Sequence, residues 1–410
     1  MRPIELLCPA SNLEVLKTAV IYGANAVYIG GEAFGLRANA KNFSRRDMEE
    51  GIAFAHARGV KVYVTANIYA HNEDLEGIRL YFKELAQIGP DAILIADPAV
   101  FMLAREICPR IDIHISTQAN NTNWGTYNFW HSLGATRVVA ARELSLKEIR
   151  QIRDHIDPDL EIEAFVHGAM CMAYSGRCLL SNYMTGKDAN QGECTHACRW
   201  KYNLVEEKRP GQYLPIEEDA HGTYIMNSKD LCMIEYLPQM IEAGIDSLKI
   251  EGRMKTALYV ATVARTYRRA IDDYLRDPAL YQAHMGWYKD QIRSCTYRQY
   301  STGFFFGKPS GEDQIYESAS YVKGATYLGQ VERVRPDQTF LIEQKNKFCV
   351  GDSIEIMKPN GDNIEVTVTS ITDPEGNPQD SCPHARQKVW IGIKGGTVEE
   401  YDILRRHEEA

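Results

Sequence analysis

Four of the ten cysteines in this 410-residue chain lie in one short segment, and their chemistry is that of a metal centre. Cys171, Cys178, Cys194 and Cys198 fall within residues 163–202, among glycines and small residues that suit a tightly folded loop. Thiolates are soft ligands, so four of them from one irregular segment suit an iron–sulfur cluster or a structural zinc ion.

The spacing of these cysteines favours iron and sulfur over zinc. Structural zinc sites usually contain two tight C-x2-4-C pairs. Here six residues separate the first pair and only the second pair, with three, is tight. The alternatives are four ordinary cysteines or two disulfides, and disulfides are rare in the cytoplasm. We therefore expect an iron–sulfur cluster, and four thiolates match the four irons of a 4Fe–4S cubane.

Composition indicates a soluble globular protein. The chain is 44% hydrophobic and 25% charged, and no stretch approaches the roughly 18 apolar residues of a membrane helix. The N-terminal residues are typical of a strand rather than a signal peptide, so we expect a cytoplasmic protein without a membrane partner. The net charge is −9. A nucleic acid would therefore have to bind a local basic patch, because the overall field repels it.

The elements that must position these cysteines alternate between short apolar strands and amphipathic helices. Strands that are apolar throughout are buried on both faces, as in parallel sheets, and eight strand–helix units predict an α/β TIM-type (β/α)8 barrel. An open doubly wound sheet is the alternative, but no G-x-G-x-x-G follows the first strand. The strand candidates are Ile4–Leu7, Ala26–Ile29, Lys61–Ala66, Ala92–Ala96, Asp112–Thr117, Arg137–Ala141, Glu161–Val166 and Ser247–Ile250.

The domain organisation follows from where this alternation stops. We expect the barrel to span residues 1–280, with a cysteine-rich insertion at about 168–230 that contains a hairpin of Tyr202–Glu206 with Thr223–Asn227. Residues 281–318 are predicted to be a connector, in which Gly303–Gly307 docks onto the barrel. Short alternating strands and turns in residues 319–410 then predict a small antiparallel β-barrel, which the first barrel does not need in order to close.

Polar residues follow most of the predicted strands, where TIM-type barrels carry their chemistry. Arginines and lysines at one mouth suit a small carboxylic acid, because guanidinium groups bind carboxylates bidentately. For single residues a structural ion pair, or a core position for the histidine, is the alternative. The candidates for catalysis are His167, Arg142, Glu143, Lys229, Glu251 and Arg253, and those for binding substrate are Asn67, Gln118, Asn120, Asn227 and Lys249.

Several motifs resemble a known family. The run Glu163–Cys171, followed after six residues by Cys178-Leu-Leu-Ser181, resembles the signature of the peptidase U32 family. The resemblance continues in Leu7–Ala10, Gly192–Cys194, Ala197–Trp200 and Lys249–Arg253. It covers about the first three hundred residues.

The resemblance, together with the extra C-terminal domain, implies tRNA modification. It implies oxygen-independent hydroxylation of carbon 5 of the wobble uridine to 5-hydroxyuridine, with prephenate as hydroxyl source and an iron–sulfur cluster as cofactor. The resemblance does not decide whether the protein acts with a homologous partner subunit or as a homodimer. The alternatives are a collagenase-like peptidase, although H-E-x-x-H and G-x-S-x-G are absent, an iron–sulfur subunit of another anaerobic hydroxylase, and an RNA-binding scaffold.

Cationic and aromatic residues occur together where single-stranded RNA could bind. Arg199–Tyr202 and Tyr297–Tyr300 mix both types, as RNA grooves do, although a solvated face is the alternative. Small β-barrels commonly bind oligonucleotides, so the C-terminal barrel is predicted to position RNA; stabilising the fold or forming a dimer is the alternative. Its candidate contacts are Tyr321, Lys345, Lys347, Arg386 and Lys388.

Overall fold

The computed structural model describes most of the chain. The described residues are 3–32, 34–35, 42–171, 174, 176–200, 204–205, 213–214, 218–219, 222–223, 229–308 and 322–408. Two predicted contacts, Asn227 and Tyr321, lie outside them. Within the described residues, no helix is both long enough and apolar enough to span a membrane.

Eight parallel strands close into a barrel, as predicted. The first strand pairs with the second in the register Leu7↔Ala26 and with the eighth in the register Glu5↔Ser247. Closure is completed by pairing of the eighth strand with the seventh, and the strands are buried on both faces, mainly through apolar side chains. The eight strands are Glu5–Pro9, Ala26–Gly30, Lys61–Ala66, Ala92–Ile95, Asp112–Ile115, Arg137–Val139, Glu161–Gly168 and Ser247–Ile250.

Helices cover the outside of this barrel, and polar side chains define where several of them begin. Asn12, Asp97 and Thr256 each accept a hydrogen bond from a backbone N–H of the first turn, and Ser145 forms a capping box with Glu148. The helices are α1 Leu13–Ile21, α2 Arg45–His56, α3 Leu75–Ile88, α4 Pro98–Ile107, α5 Trp124–Ser132, α6 Leu146–Arg153, α7 Leu180–Thr185, α8 Leu237–Glu242, α9 Ala257–Arg276, α10 Pro278–Ala283 and α11 Met285–Arg293.

A charged network fills the N-terminal half of the barrel interior. The buried guanidinium of Arg137 lies 2.5 Å from Glu5 Oε1 and 3.1 Å from Glu163 Oε2. Glu163 Oε1 in turn lies 2.7 Å from Lys249 Nζ, on the neighbouring eighth strand. Because unpaired buried charges are costly, this chain of ion pairs holds Lys249 at a defined height in the barrel.

The insertion between the seventh and eighth strands contains α7, two short 3-10 turns and two small antiparallel pairs. Leu204–Val205 pairs with Tyr213–Leu214, and Glu218–Asp219 pairs with Gly222–Thr223. The predicted single hairpin of Tyr202–Glu206 with Thr223–Asn227 is therefore wrong where these residues are described. Pairing with a nearer segment closes a shorter loop, which costs less chain entropy.

The segment predicted to be a connector is largely helical and packs on the first barrel. It begins inside α10 and continues through α11, and Tyr281 and Tyr288 of these helices are buried. Phe305 of the predicted docking segment Gly303–Gly307 is also buried, and its carbonyl oxygen accepts a hydrogen bond from Leu146 N at 3.0 Å. Sequence reasoning missed these helices because aromatic residues interrupt their polar pattern.

The second barrel is antiparallel, as predicted, and consists of six strands with a short seventh at one edge. Five of the closing strands correspond to predicted strands, and the sixth, Ile403–His407, was not predicted because two arginines and a histidine conceal its pattern. The strands are Ala325–Val334, Phe340–Glu343, Ser353–Met357, Ile364–Thr372, Pro378–Gln379, Lys388–Lys394 and Ile403–His407.

The two barrels share a hydrophobic core rather than touching through a thin interface. Tyr327, Met357 and Ile403 of the second barrel belong to the core cluster of the first. The hydroxyl of Tyr22, in the first barrel, lies 2.9 Å from Met357 O and 3.0 Å from Tyr401 O. Although the strands of the first barrel close among themselves, its apolar outer face is therefore completed by the second.

Candidate active site

A cleft opens at the C-terminal ends of the first barrel's strands, with the cysteine loop as its roof. Strand ends supply most of its wall, and Tyr174 and Asn190 of the insertion supply part of the roof. The cleft brings together nine of the residues predicted from the sequence: Asn67, Gln118, Arg142, Lys249, Glu251, Arg253, Cys171, Cys178 and Cys194.

Arg142 connects the barrel wall to the cysteine loop. Its guanidinium carbon lies 4.0 Å from the centroid of the Phe165 ring, in cation–π contact. Nη2 lies 3.6 Å from Glu251 Oε2, and Nη1 donates to Cys171 Sγ at 3.4 Å. One side chain thus faces a carboxylate, a thiol and an aromatic ring at the same edge of the cleft.

Arg253 is held over the barrel opening by a threonine and a glycine. The side chain is 5% exposed, and Nη1 donates to Thr65 Oγ1 at 2.7 Å. A Cβ atom at Gly30 would lie 2.6 Å from the same nitrogen, closer than real Cβ contacts. A side chain at Gly30 would therefore displace the guanidinium from the cleft.

Lys249 forms the floor of the cleft. Its Nζ is bound to Glu163 and lies 4.5 Å from the centroid of the Tyr28 ring. Among the described lining residues, Arg142, Lys249 and Arg253 are cationic and Glu251 is the carboxylate. The local charge is therefore positive although the whole chain carries −9, and the cleft can accept a small anion.

His167 is not brought to the cleft. Lys249 pairs with Phe165, but Ile250 pairs with His167, so an irregularity in the seventh strand turns the histidine outward. Its ring, 1% exposed, contacts Tyr259, Tyr267 and Tyr300. Burial, with a smaller contribution from Lys255, lowers the pKa of His167 to about 3. The predicted catalytic histidine is thus a neutral core residue in this structure.

Several other predicted residues also lie outside the described cleft lining. Glu143 follows Arg142 in a turn, where burial raises the pKa of its carboxyl group. Asn120 adopts a left-handed conformation, and its Nδ2 donates to Gln118 O at 2.9 Å, so it shapes the loop after the fifth strand. Lys229 and Cys198 are half-buried and are not among the described lining residues.

The four cysteines of the loop have the thiol chemistry that a soft-metal cofactor needs, and three of them lie at the cleft. They are not gathered around one point. None of the ten cysteines is joined in a disulfide, so the alternative of two disulfides is not observed. Cys171, Cys178 and Cys194 border the same cleft, and Cys198 follows in a 3-10 turn of the same loop. Among the described residues, no three histidine, cysteine or acidic side chains already stand in a metal-binding arrangement.

Sequence reasoning missed ten of the described lining residues, and five of them are Tyr28, Thr65, Phe165, Tyr174 and Asn190. A signal for three of them was present. Tyr28, Thr65 and Phe165 lie near the ends of predicted strands, and alternate residues of a barrel strand face the interior. Tyr174 and Asn190 come from irregular loop, for which no comparable periodicity exists.

Comparison with known proteins gives matches over both barrels. The model of peptidase family U32 matches residues 11–315, and that of the peptidase family U32 C-terminal domain matches residues 323–405. The tRNA hydroxylation protein P1 of Bacillus subtilis (strain 168) is 45% identical, covering 94% of this chain and 90% of that protein.

Two relatives in Escherichia coli (strain K12) extend the comparison. Its tRNA hydroxylation protein P is 39% identical, covering 98% of this chain and 96% of that protein. Its 23S rRNA 5-hydroxycytidine synthase is 32% identical, covering 94% of this chain and 56% of that longer protein.

Proposed function

The chain belongs to peptidase family U32, and we propose that it is an enzyme that hydroxylates tRNA. The finer form of the proposal is oxygen-independent conversion of the wobble uridine to 5-hydroxyuridine, with prephenate as the hydroxyl source. Two relatives named as tRNA hydroxylation proteins support an RNA substrate, since each aligns with more than nine-tenths of this chain. A third relative is named for hydroxylation of a different RNA.

The observation that carries the proposal is the positively charged cleft. A small dicarboxylic acid needs two cations at separate points, and Arg142 and Arg253 reach the opening from different strands. Arg142 lies 3.6 Å from Glu251, a distance that leaves its guanidinium able to bind a substrate carboxylate as well. In the proposed site these two arginines bind the acid and Lys249 neutralises charge beneath it.

Glu251 is the carboxylate best placed to move a proton. Its Oε2 lies 3.5 Å from the hydroxyl of Tyr28, which donates to Ile250 O at 3.0 Å. Replacement of the hydrogen on carbon 5 of uridine by a hydroxyl group from the acid releases one proton and two electrons. The electrons need an external acceptor, to which the bound cluster would connect the site. In the proposed reaction Glu251 accepts that proton, and Tyr28 and Arg142 hold its carboxylate in place.

The four clustered cysteines would hold the iron–sulfur cofactor. Cys171, Cys178, Cys194 and Cys198 supply the soft thiolate donors that such clusters require, and three of them border the cleft. When bound, the cluster would supply either electron transfer or rigidity to the loop. Tyr174, an exposed residue of the same loop, would stack on the incoming base.

Peptidase activity, the alternative suggested by the family name, has no support in the described cleft. A cysteine nucleophile needs a nearby base such as histidine. No histidine lines the described cleft, and His167 is buried in an aromatic core. The described cleft therefore lacks the cysteine–histidine pair that a cysteine peptidase needs.

The test compares tRNA from a strain that lacks this gene with tRNA from the same strain complemented in turn with the wild type, Arg142→Ala and Lys147→Ala. The exposed Lys147 serves as the control. Mass spectrometry of nucleosides from cells grown without oxygen should show 5-hydroxyuridine or its derivatives with the wild type and the control only. Equal levels in the deletion strain would refute the proposal.

A further inference from the structure

A second groove lies far from the cleft, where the two barrels meet. Arginines of α9 line one side, and the turn Pro359–Asp362 of the second barrel lines the other. The arginines are Arg265, Arg268, Arg269 and Arg276, and Trp287 of α11 stands among them.

The spacing of these arginines places them on one helix face. Positions 265, 268, 269 and 276 repeat with helical periodicity, and from Arg265 to Arg276 the helix rises by about 16 Å. That length exceeds the size of a single small anion such as phosphate. The groove therefore suits an extended chain of negative charges.

Two of the arginines have structural tasks. Arg265 is buried and donates to Lys358 O and Asn363 Oδ1, each at 2.7 Å, so it fastens the second barrel to α9. Arg268 binds Asp272 at 2.6 Å and Asn25 at 2.7 Å. These two side chains hold the groove's shape.

The other two arginines can meet a ligand. The guanidinium of Arg269 lies 4.4 Å from the centroid of Trp287 and 3.8 Å from Asp273. Asp273 already accepts a hydrogen bond from Tyr288 at 2.6 Å and contacts His284 at 2.8 Å, so its charge is shared. Arg276 is exposed and forms no ion pair with the residues that the structure describes.

Acidic residues also line the groove and set a limit on its charge. The carboxylates of Asp272, Asp273 and Asp362 offset part of the positive charge of the four arginines. Asp272 is bound by Arg268, and Asp273 by three partners. The cations that a ligand can reach are therefore Arg269, whose 3.8 Å contact with Asp273 is the longest of the three to that carboxylate, and the exposed Arg276.

The cations predicted on the second barrel are less available. Lys345 binds Glu14 at 3.3 Å and Glu343 at 3.0 Å, and Lys388 is paired with Glu332. Lys347 and Arg386 remain exposed, but they stand outside this groove. The structure thus moves the strongest candidate surface for RNA from the second barrel itself to its junction with α9.

We propose that this groove binds the phosphodiester backbone of the tRNA at a distance from the modified base. The inference rests on the proposed function, because it takes tRNA as the substrate. α9 begins four residues after the cleft residue Arg253, and Arg276 lies 19 residues beyond Ala257, or about 28 Å along the axis. Only a folded RNA tens of ångströms long can occupy cleft and groove together, whereas a short anticodon-loop oligonucleotide cannot.

The test measures binding of two RNAs, full-length tRNA and an anticodon-loop oligonucleotide, over a range of salt concentrations. The variants are Arg269→Ala, Arg276→Ala and their combination, and the control is the exposed Arg110→Ala, near the fifth strand on the opposite side of the barrel. The double variant should bind full-length tRNA about tenfold more weakly and lower the salt slope by about one to two, because fewer counterions are released. Binding of the oligonucleotide should not change.

The outcomes separate this inference from the proposed function. Unchanged tRNA binding by the double variant, or equal weakening for both RNAs, would overturn the groove assignment while leaving the hydroxylase proposal intact. A wild-type protein that binds neither RNA and modifies neither would refute both. Equal weakening by Arg110→Ala would also overturn the assignment, because the effect would then be general electrostatics.

Discussion

Single residues in the cleft are positioned by contacts that mutation can test. Arg142→Ala and Arg253→Ala should abolish modification while the protein stays folded. A charge-assisted contact contributes about 1.5–3 kcal/mol, so each loss should weaken binding of the acid roughly tenfold or more. Calorimetric titration with prephenate measures the binding, and circular dichroism measures the fold.

Conservative variants sharpen that prediction. Arg142→Lys retains the charge but loses the planar fork, so it should bind the acid more weakly than the wild type and more tightly than Arg142→Ala. If both arginine-to-alanine variants bound prephenate normally, the acid would have to bind outside this cleft.

The cysteines divide into two groups with different expected behaviour. Replacing Cys171, Cys178, Cys194 or Cys198 by alanine should remove most of the iron from anaerobically purified protein. The visible absorption band and the iron content measure this loss. The other six should be replaceable without it, because none of them lines the described cleft. Burial also raises the pKa of five of these thiols, Cys8, Cys108, Cys232, Cys295 and Cys382. Stoichiometric zinc in colourless wild-type protein would contradict the cluster.

His167 should make the protein sensitive to acid. Its pKa falls from the ordinary value of 6.5 to about 3 in the folded chain, because the buried ring resists protonation. Below pH 6.5 the unfolded chain gains a proton that the folded chain does not, so stability falls as the pH drops toward 3. At pH 5 this proton uptake by the unfolded chain lowers the free energy of unfolding by about 2 kcal/mol.

Substituting the histidine tests this linkage. His167→Phe keeps an aromatic ring in the cage, and its unfolding free energy should fall less steeply between pH 7 and pH 5 than that of the wild type. Chemical denaturation at both pH values gives the comparison, in which His114 and other groups contribute equally to both proteins. Parallel pH profiles would mean that His167 is protonated in the folded chain.

At the scale of elements, the sequence alone predicts the barrel strands, because they recur in a regular alternation with helices. All eight barrel strands were predictable because each is a short apolar run between helical segments. The cleft residues Arg142, Glu251 and Arg253 follow from the same rule, since strand ends meet at one mouth. The irregularity at Phe165–His167 was not predictable, because it depends on how the seventh strand meets the eighth, and it decides which way His167 points.

Gly168 is the residue that permits this irregular strand end. Its φ is +110°, and a Cβ atom would lie 2.4 Å from Glu251 O. Gly168→Ala should therefore lower the free energy of unfolding by roughly 1–3 kcal/mol and disturb the cleft beside Glu251. Thermal and chemical unfolding measure the change.

A matched glycine in α11 provides the control. Gly286 has ordinary helical geometry and open space around its Cα, so Gly286→Ala should leave stability unchanged or raise it by up to about 1 kcal/mol. Equal effects of the two substitutions would show that the strand end tolerates a side chain.

At the scale of the whole molecule, the second barrel is joined to the first by a shared core and by buried polar contacts. The guanidinium of the fully buried Arg405 lies 2.5 Å from Glu355 Oε1 and 2.8 Å from Ser294 Oγ, and so joins the second barrel to the residue that follows α11. The first barrel closes through its own strands, as expected, but the second barrel covers part of its outer surface. Removing residues 319–410 should expose apolar surface and lower the melting temperature, which differential scanning calorimetry measures.

The position of the strand Ile403–His407 has a consequence for the order of synthesis. This strand lies between Ala325–Val334 and Ser353–Met357, so the second barrel cannot close until the ribosome has added more than 400 residues. Until then the nascent first barrel presents an uncovered apolar face around Tyr22, which is a binding surface for chaperones. Chains arrested on the ribosome after residue 380 should accordingly be protease-sensitive near α1 and bind chaperones, whereas released full-length chains should do neither.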